Sequence, residues 1–264
     1  MPTPIPQIKV YSDKFADQVV VISGAAQGIG EVTSKLFAAQ GARVVLLDIE
    51  ESRLSKVADE IHSTGGNATY HVTNVADDVQ VDIAINGVIE KYGQIDVMVH
   101  LAGIYPSIPI PDCTTEQYRR IMAVNMDGCF FLTRAVLPHM NQRGYGRIIC
   151  TSSGALQNPV GYISVYVAAK AAIMGFARAA AMEAGNGVTV NSILPGLIPT
   201  DHVKQQWTKP DGTIPLLDLM IQKQAVKRSG QPEDIAHTIC FIAGPEAAFT
   251  TGQMFDIGGG ATFH

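Results

Sequence analysis

The chain has 264 residues, with 19 Lys and Arg against 24 Asp and Glu, a formal charge of −5. Apolar residues make up 47% and charged residues 16%, a composition that fits a packed soluble core and excludes a disordered chain. The acidic balance, with a pI near 5.8, offers no basic field for phosphate backbones and excludes nucleic acid as the partner.

In chain order, Gln18–Ser23 reads as a buried strand, Gly28–Gln40 as a helix, Ala42–Asp48 as a strand and Glu50–Ser63 as a helix. Asn67–Val72 is a third strand, followed by a helix over Asp77–Tyr92 and a fourth strand over Ile95–Leu101. One long helix is predicted over Thr115–Gln142, then a strand at Arg147–Thr151, an Ala-rich helix at Ser164–Ala184 and a strand at Val188–Leu194. Residues 197–227 read as irregular with helical pieces, before a helix at Glu233–Ala243 and a last strand near Met254–Ile257. Strands alternating with helices of this length build βαβ units. Near-continuous apolar strands belong to a parallel sheet covered on both faces. The expectation is one α/β domain, a doubly wound parallel sheet over residues 16–264, with residues 1–15 as an N-terminal extension on its surface.

Cys113, Cys129, Cys150 and Cys240 form no CxxC pair and no Cys/His cluster with zinc spacing, so reduced thiols and no metal are expected. The opening residues are Pro-rich without an apolar signal core. The best candidate for a membrane span, Thr151–Ala169, is broken by Gln157, Asn158 and Pro159. The expectation is a cytoplasmic protein with no membrane partner.

The first strand runs into Gly24-Ala25-Ala26-Gln27-Gly28-Ile29-Gly30, where a helix begins. Glycines at such a turn let backbone approach a pyrophosphate, whose charge the helix N-terminus favours. Such turns also occur for packing alone. Asp48 ends the second strand, 18 residues after Gly30. A carboxylate there accepts from the ribose hydroxyls of NAD and repels the 2′-phosphate of NADP, or else it caps the next helix. Gln27 and Ile49 bring no cation to that phosphate, so the pattern favours NAD over NADP.

Tyr166 and Lys170 stand at i,i+4 and share a helix face, which alone is a weak signal. Ser153 lies 13 residues upstream, just past the fifth strand, and Asn125 lies within the long preceding helix. With these pieces in order, the sequence resembles the short-chain dehydrogenase/reductase superfamily, in its single-domain Rossmann-fold form, from about Phe15 to Gly260. Residues 23–30 stand where the family has TGxxxGxG, with Ser23 for Thr. Asn74 and Val75 match its adenine-contacting pair. Asn125, Ser153, Tyr166 and Lys170 match its catalytic tetrad. Pro195 and Gly196, followed by Ile198 and Thr200, match the segment that closes over the nicotinamide. The family's NNAG is here His100-Leu101-Ala102-Gly103. The Ala102-Gly103 pair that lets backbone approach the cofactor is kept, while both Asn side chains are lost. His100 either supplies a replacement hydrogen bond between strands or fills space as a buried neutral ring.

The resemblance implies an NAD-dependent oxidoreductase that moves a hydride between an alcohol carbon and nicotinamide. It makes Tyr166 the acid/base and Lys170 the group that lowers the phenol pKa and holds the nicotinamide ribose. An ammonium at ~4 Å and an effective dielectric of ~20 contributes about 4 kcal/mol, enough to bring a phenol from about 10 toward 7. Ser153, rather than Ser152, becomes the donor to the substrate oxygen. Asn125 becomes the anchor of a water leading from Lys170, or simply a polar residue that kinks its helix.

A lid is expected over about 198–227, carrying Trp207, Ile214, Pro215, Leu216, Leu217 and Met220. Ile104, Tyr105, Pro106, Ala155, Leu156 and Tyr162 would form the facing walls. That set suggests an apolar, aromatic or alicyclic secondary alcohol or ketone as the small-molecule substrate, unless these side chains pack the lid itself. The alternatives are a 3-oxoacyl-type or secondary-metabolite ketone reductase and, more remotely, a non-catalytic NAD-binding scaffold. The resemblance also implies a homotetramer or homodimer, with the small residues of 171–184 against a partner copy or against the chain's own sheet.

Overall fold

The computed structural model describes residues 11–263, and the statements below concern these. Residues 1–10 of the expected N-terminal extension lie outside them. Phe15, at its end, is fully buried and meets Phe37 edge-on at 4.7 Å, so the chain enters the core before the first strand.

Seven strands form one parallel sheet: β1 Val19–Ser23, β2 Arg43–Asp48, β3 Asn67–Val72, β4 Val97–His100, β5 Gly146–Thr151, β6 Val188–Pro195 and β7 Met254–Ile257. Their order is β3-β2-β1-β4-β5-β6-β7. The direction of winding reverses between β1 and β4, which opens a crevice at the carboxyl ends of the strands. The intervening helices are α1 Gly28–Ala39, α2 Glu51–Ser63, α3 Asp78–Tyr92, α4 Thr115–Met122, α5 Gly128–Arg143, α6 Ser164–Glu183, α7 Asp201–Trp207, α8 Pro215–Lys223 and α9 Pro232–Ala243.

The strand period of two feeds two cores. Val20, Ile22, Val44, Leu46, Val97 and Val99 pack on one face with residues of α1, α2 and α9. Val19, Val21, Val45, Leu47, Met98 and Ile148 pack on the other with residues of α3, α5 and α6. Each such side chain contributes roughly 1.5–3 kcal/mol on burial, and a one-residue slip would exchange the two sets.

The long helix predicted over Thr115–Gln142 is two helices. A single π-type turn, Ala123–Asp127, separates α4 from α5. The fully buried Asn125 sits in it and donates from Nδ2 to the carbonyls of Ile121 and Ile104, both at 2.9 Å. A side chain that bonds back to the helix and across to a loop widens the turn. The helix-kinking reading of Asn125 is therefore what this segment displays. Two helical stretches, Thr115–Arg143 and Ser164–Glu183, are long and apolar enough to cross a membrane. Here both pack on the sheet and carry Asn125, Tyr166 and Lys170.

Candidate active site

A cleft of about 870 Å³ runs along the carboxyl ends of the strands. Gly24, Gln27, Gly28, Ile29 and Gly30 line one end of it, beside Asp48, Ile49, Asn74 and Val75. Ala102 and Gly103 follow β4, and Pro195, Gly196, Ile198 and Thr200 follow β6 along the same cleft.

The glycines have separate reasons. A Cβ on Gly24 would stand 2.6 Å from the Ala102 nitrogen, so close approach of two strand ends excludes a side chain there. A Cβ on Gly30 would stand 1.9 Å from the Gly24 carbonyl oxygen, so α1 can close onto β1 only through glycine. Packing thus explains both. The ligand signal lies elsewhere: Gln27 starts α1 without any side-chain cap, which leaves the first-turn N–H groups open along the cleft for an anion. Asp48 accepts from the N–H groups of Ala26, Ile49 and Glu50 at 3.2, 2.7 and 3.2 Å. It therefore holds the turn after β2 to the Gly-rich turn and lines the cleft there. This end of the cleft fits a dinucleotide.

At the middle of the cleft stand Ser153, Tyr166 and Lys170. Ser152 donates to the Lys170 carbonyl at 2.8 Å. Ser153 accepts from the Ala155 N–H at 3.1 Å, and its hydroxyl bonds the Tyr166 phenol. Burial holds the Tyr166 phenol above its ordinary pKa, opposed by that serine bond. Burial also lowers the Lys170 ammonium to about 8. Its Nζ donates to the Thr151 carbonyl at 2.8 Å and lies 5.6 Å from the Tyr166 ring centroid. Desolvation is thus the largest influence on both the Tyr166 phenol and the Lys170 ammonium.

Asn125 and His100 do not reach the cleft surface; both are fully buried behind it. His100 Nδ1 lies 2.9 Å from Ser23 Oγ and Nε2 lies 3.1 Å from the Asn125 carbonyl. It thus supplies the inter-strand hydrogen bond in place of an asparagine. Tyr105 and Trp207 face each other edge-on at 6.4 Å, and Tyr105 meets Tyr166 at 5.8 Å. Ala155, Ile104, Leu216 and Met220 join them on the wall. Tyr162, expected there, stands outside the cleft. Its φ of 70° turns the chain into α6 and leaves the residue 61% exposed.

Residues 24–262 match a family model described as Enoyl-(Acyl carrier protein) reductase. A cyclohexanol dehydrogenase of an Acinetobacter species is 32% identical, over 96% of this chain and 98% of its own. A 3-oxoacyl-[acyl-carrier-protein] reductase of a Synechocystis species is 37% identical, over 92% and 96%. The chain belongs to the short-chain dehydrogenase/reductase superfamily. The crystal structure of a Brucella melitensis member, described as a glucose/ribitol dehydrogenase, superposes with a TM-score of 0.88 at 27% identity, covering 96% of this chain and all of that one.

Against the short-chain dehydrogenase/reductase pattern, the structure adds groups that motif reading missed. Arg53 of α2 donates to the Gln27 side chain, so a cation does stand at the rim of the Gly-rich turn. Arg120, Asn158, Gln224, Asp256 and Thr262 also line the cleft. No spacing in the sequence marks them, because they come from four separate segments.

Proposed function

We propose that this protein is an NAD-dependent oxidoreductase that interconverts a secondary alcohol with an apolar, alicyclic or aromatic body and its ketone. The observation that carries the reading is the meeting of Ser153, Tyr166 and Lys170 on one cleft wall, between the Gly-rich turn and the Tyr105–Trp207 pair. The uncapped start of α1 would hold the pyrophosphate, Asp48 the adenosine ribose, Asn74 and Val75 the adenine, and Lys170 the second ribose. Ala102, Gly103, Pro195, Gly196, Ile198 and Thr200 would enclose the nicotinamide end. The cofactor, when bound, supplies the two-electron acceptor or donor. Ser153 donates to the substrate oxygen and fixes it beside the Tyr166 hydroxyl. Tyr166 takes the alcohol proton in oxidation and gives it back in reduction. Lys170 lends positive charge to the phenolate form.

Phe130, 41% exposed, clusters with Phe131 and Phe176 on the outer side of α5 and α6. That apolar surface supports a homotetramer or homodimer, tested by light scattering.

The deciding experiment is NADH formation from NAD across secondary alcohols of graded size, with NADP in parallel and Tyr166→Phe as the blank. Turnover that vanishes in the variant supports the proposal. Cofactor binding without turnover on any alcohol or ketone overturns it in favour of a scaffold. A second reading, reduction of a carrier-bound 3-oxoacyl group, is favoured by Arg120, an exposed cation on the cleft placed to meet a carrier phosphate. Faster reduction of acetoacetyl-CoA than of any free ketone would select it.

A further inference from the structure

We propose that the cleft carries a second polar pole, built from Gln224, Asn158, Asp256 and Thr262, that receives a second hydroxyl on the substrate. The substrate class is then a diol or hydroxyketone with an apolar frame, not a plain apolar alcohol and not an anionic one. This deepens the dehydrogenase reading and rests on it.

All four residues line the same cleft as Ser153 and Tyr166. Asp256 belongs to β7, which lies two places beyond β5 in the sheet, on the side away from β1. The chain segments that follow β5, β6 and β7 are in contact. A Cβ on Gly154 would stand 3.2 Å from the Pro195 carbonyl, and one on Gly196 would stand 2.9 Å from the Gly258 Cα. The pole therefore adjoins Ser153 on the side opposite the dinucleotide end.

Its members are held in place. The Thr262 hydroxyl lies within hydrogen-bond reach of both Gln157 Oε1 and Asp256 Oδ2, the latter at 2.9 Å. One hydroxyl proton serves one acceptor at a time, so Thr262 donates to either Gln157 Oε1 or Asp256 Oδ2 and is held between the two. Asn158 donates to the Met220 sulfur at 3.6 Å. Gln224 is only 5% exposed and packs on Gly259, where an added Cβ would stand 3.2 Å from its carboxamide carbon.

Gln224 Oε1 is buried with no hydrogen-bond partner among the described residues. Buried acceptors are nearly always paired. What this one lacks is a donor, and the torsion that carries a carboxamide is broad enough for its oxygen to turn to one arriving in the cleft. An O–H group meets that need. The Asp256 carboxylate on the same cleft favours a hydroxyl and disfavours a carboxylate or phosphate. The rest of the wall, with Tyr105, Trp207, Leu216 and Met220, offers a plain hydrocarbon no reason for this polar end.

The test compares kcat/KM with NAD for cyclohexanol, the cyclohexane-1,2-, 1,3- and 1,4-diols, and 3-hydroxycyclohexanecarboxylate, in the wild type and in Gln224→Leu and Thr262→Val. At least one diol is expected to exceed cyclohexanol by about tenfold or more, with the carboxylate slowest. The diol-to-cyclohexanol ratio should fall toward one in either variant, chiefly through KM of the diol. A purely structural role would move both substrates together. Cyclohexanol equal to or better than every diol in the wild type overturns the pole while the dehydrogenase reading stands, and so does an unchanged ratio in both variants. Binding of NAD with no oxidation of any of these alcohols overturns both.

Discussion

His100 donates from Nε2 to the main-chain carbonyl of Asn125 at 3.1 Å. A carbonyl only accepts, so Nε2 carries the proton and Nδ1 accepts from Ser23 Oγ at 2.9 Å. Ser23 Oγ in turn receives the N–H groups of Leu101 and Ala102 at 3.3 and 3.4 Å. One neutral imidazole thereby ties β1, the end of β4 and the widened turn of Asn125 together.

That bridge sets an acid limit on stability. Burial, helped by the nearby Lys170 charge, lowers His100 from 6.5 to about 3. Above pH 6.5 the ring is neutral in both folded and unfolded chains. Below it the unfolded chain takes a proton that the folded chain refuses, so stability falls as pH drops from 6.5 toward 3. At pH 5 the loss from this one group is about 2 kcal/mol. Urea unfolding at pH 7.5 and pH 5 should show a smaller acid loss for His100→Asn than for the wild type. Equal losses would remove His100 as the cause.

The raised pKa of Tyr166 gives the two directions of reaction different pH profiles. Burial is the main cause, and the Ser153 bond opposes it. The phenol is therefore protonated at neutral pH, ready to donate to a ketone. Alcohol oxidation needs the phenolate, so its kcat/KM should climb with pH between 7 and 9, up to about tenfold per unit. Ketone reduction should stay level over the same range. Tyr166→Phe should lower kcat in both directions by about 10²–10⁴-fold while NADH binding, read by fluorescence titration, persists. A reduction rate that rises with pH would contradict the assignment.

How much of this was legible in the sequence depends on how far each feature depends on distant chain. The strands, their order of alternation with helices and the Gly24–Gly30 turn follow from local apolar runs and spacing, and all seven strands are present. Tyr166 and Lys170 meet because helical spacing alone brings them together. The turn at Asn125 was not legible as a π turn, since it is made by a bond to Ile104 in a loop 21 residues away. Arg53 reaches Gln27 only through the packing of α2 beside α1. Tyr162 leaves the cleft because one residue adopts a left-handed backbone, which no side-chain pattern announces. Gln224, Asp256 and Thr262 face the cleft only once the C-terminal segment folds over it.

Gly103 borders Lys170 closely enough to make a sensitive probe of its proposed role. A Cβ there would stand 2.7 Å from Asn125 Oδ1 and 3.4 Å from Lys170 Nζ. Asn125 is fixed by its two Nδ2 bonds, so Gly103→Ala must move the loop or the lysine. The expected result is a drop of about tenfold or more in kcat/KM, of the size that misplaced catalytic groups produce. Thermal unfolding should separate this from loss of fold. Wild-type kinetics in Gly103→Ala would show that the loop yields without disturbing Lys170.

Asp48 and Arg53 put opposite charges beside the Gly-rich turn, and in the proposed dinucleotide site they would oppose each other in the choice between NAD and NADP. Asp48 lines the cleft, with Ile49 61% exposed beside it, while Arg53 stands at Gln27 on the same rim. A 2′-phosphate at ~6 Å from the carboxylate, at an effective dielectric of ~40, is repelled by about 1.4 kcal/mol per charge, a factor of ten. The wild type should therefore prefer NAD. Asp48→Asn keeps a side-chain acceptor for the N–H groups of the turn and removes only the charge. It should shift the NAD-to-NADP ratio of kcat/KM toward NADP by about tenfold or more. Freed from the carboxylate, Arg53 becomes the group that meets the phosphate, so adding Arg53→Leu to Asp48→Asn should return part of the preference. A ratio that Asp48→Asn leaves unchanged would confine Asp48 to holding the turn after β2. A ratio that moves with Asp48→Asn but ignores Arg53→Leu would leave Arg53 as nothing more than the partner of Gln27.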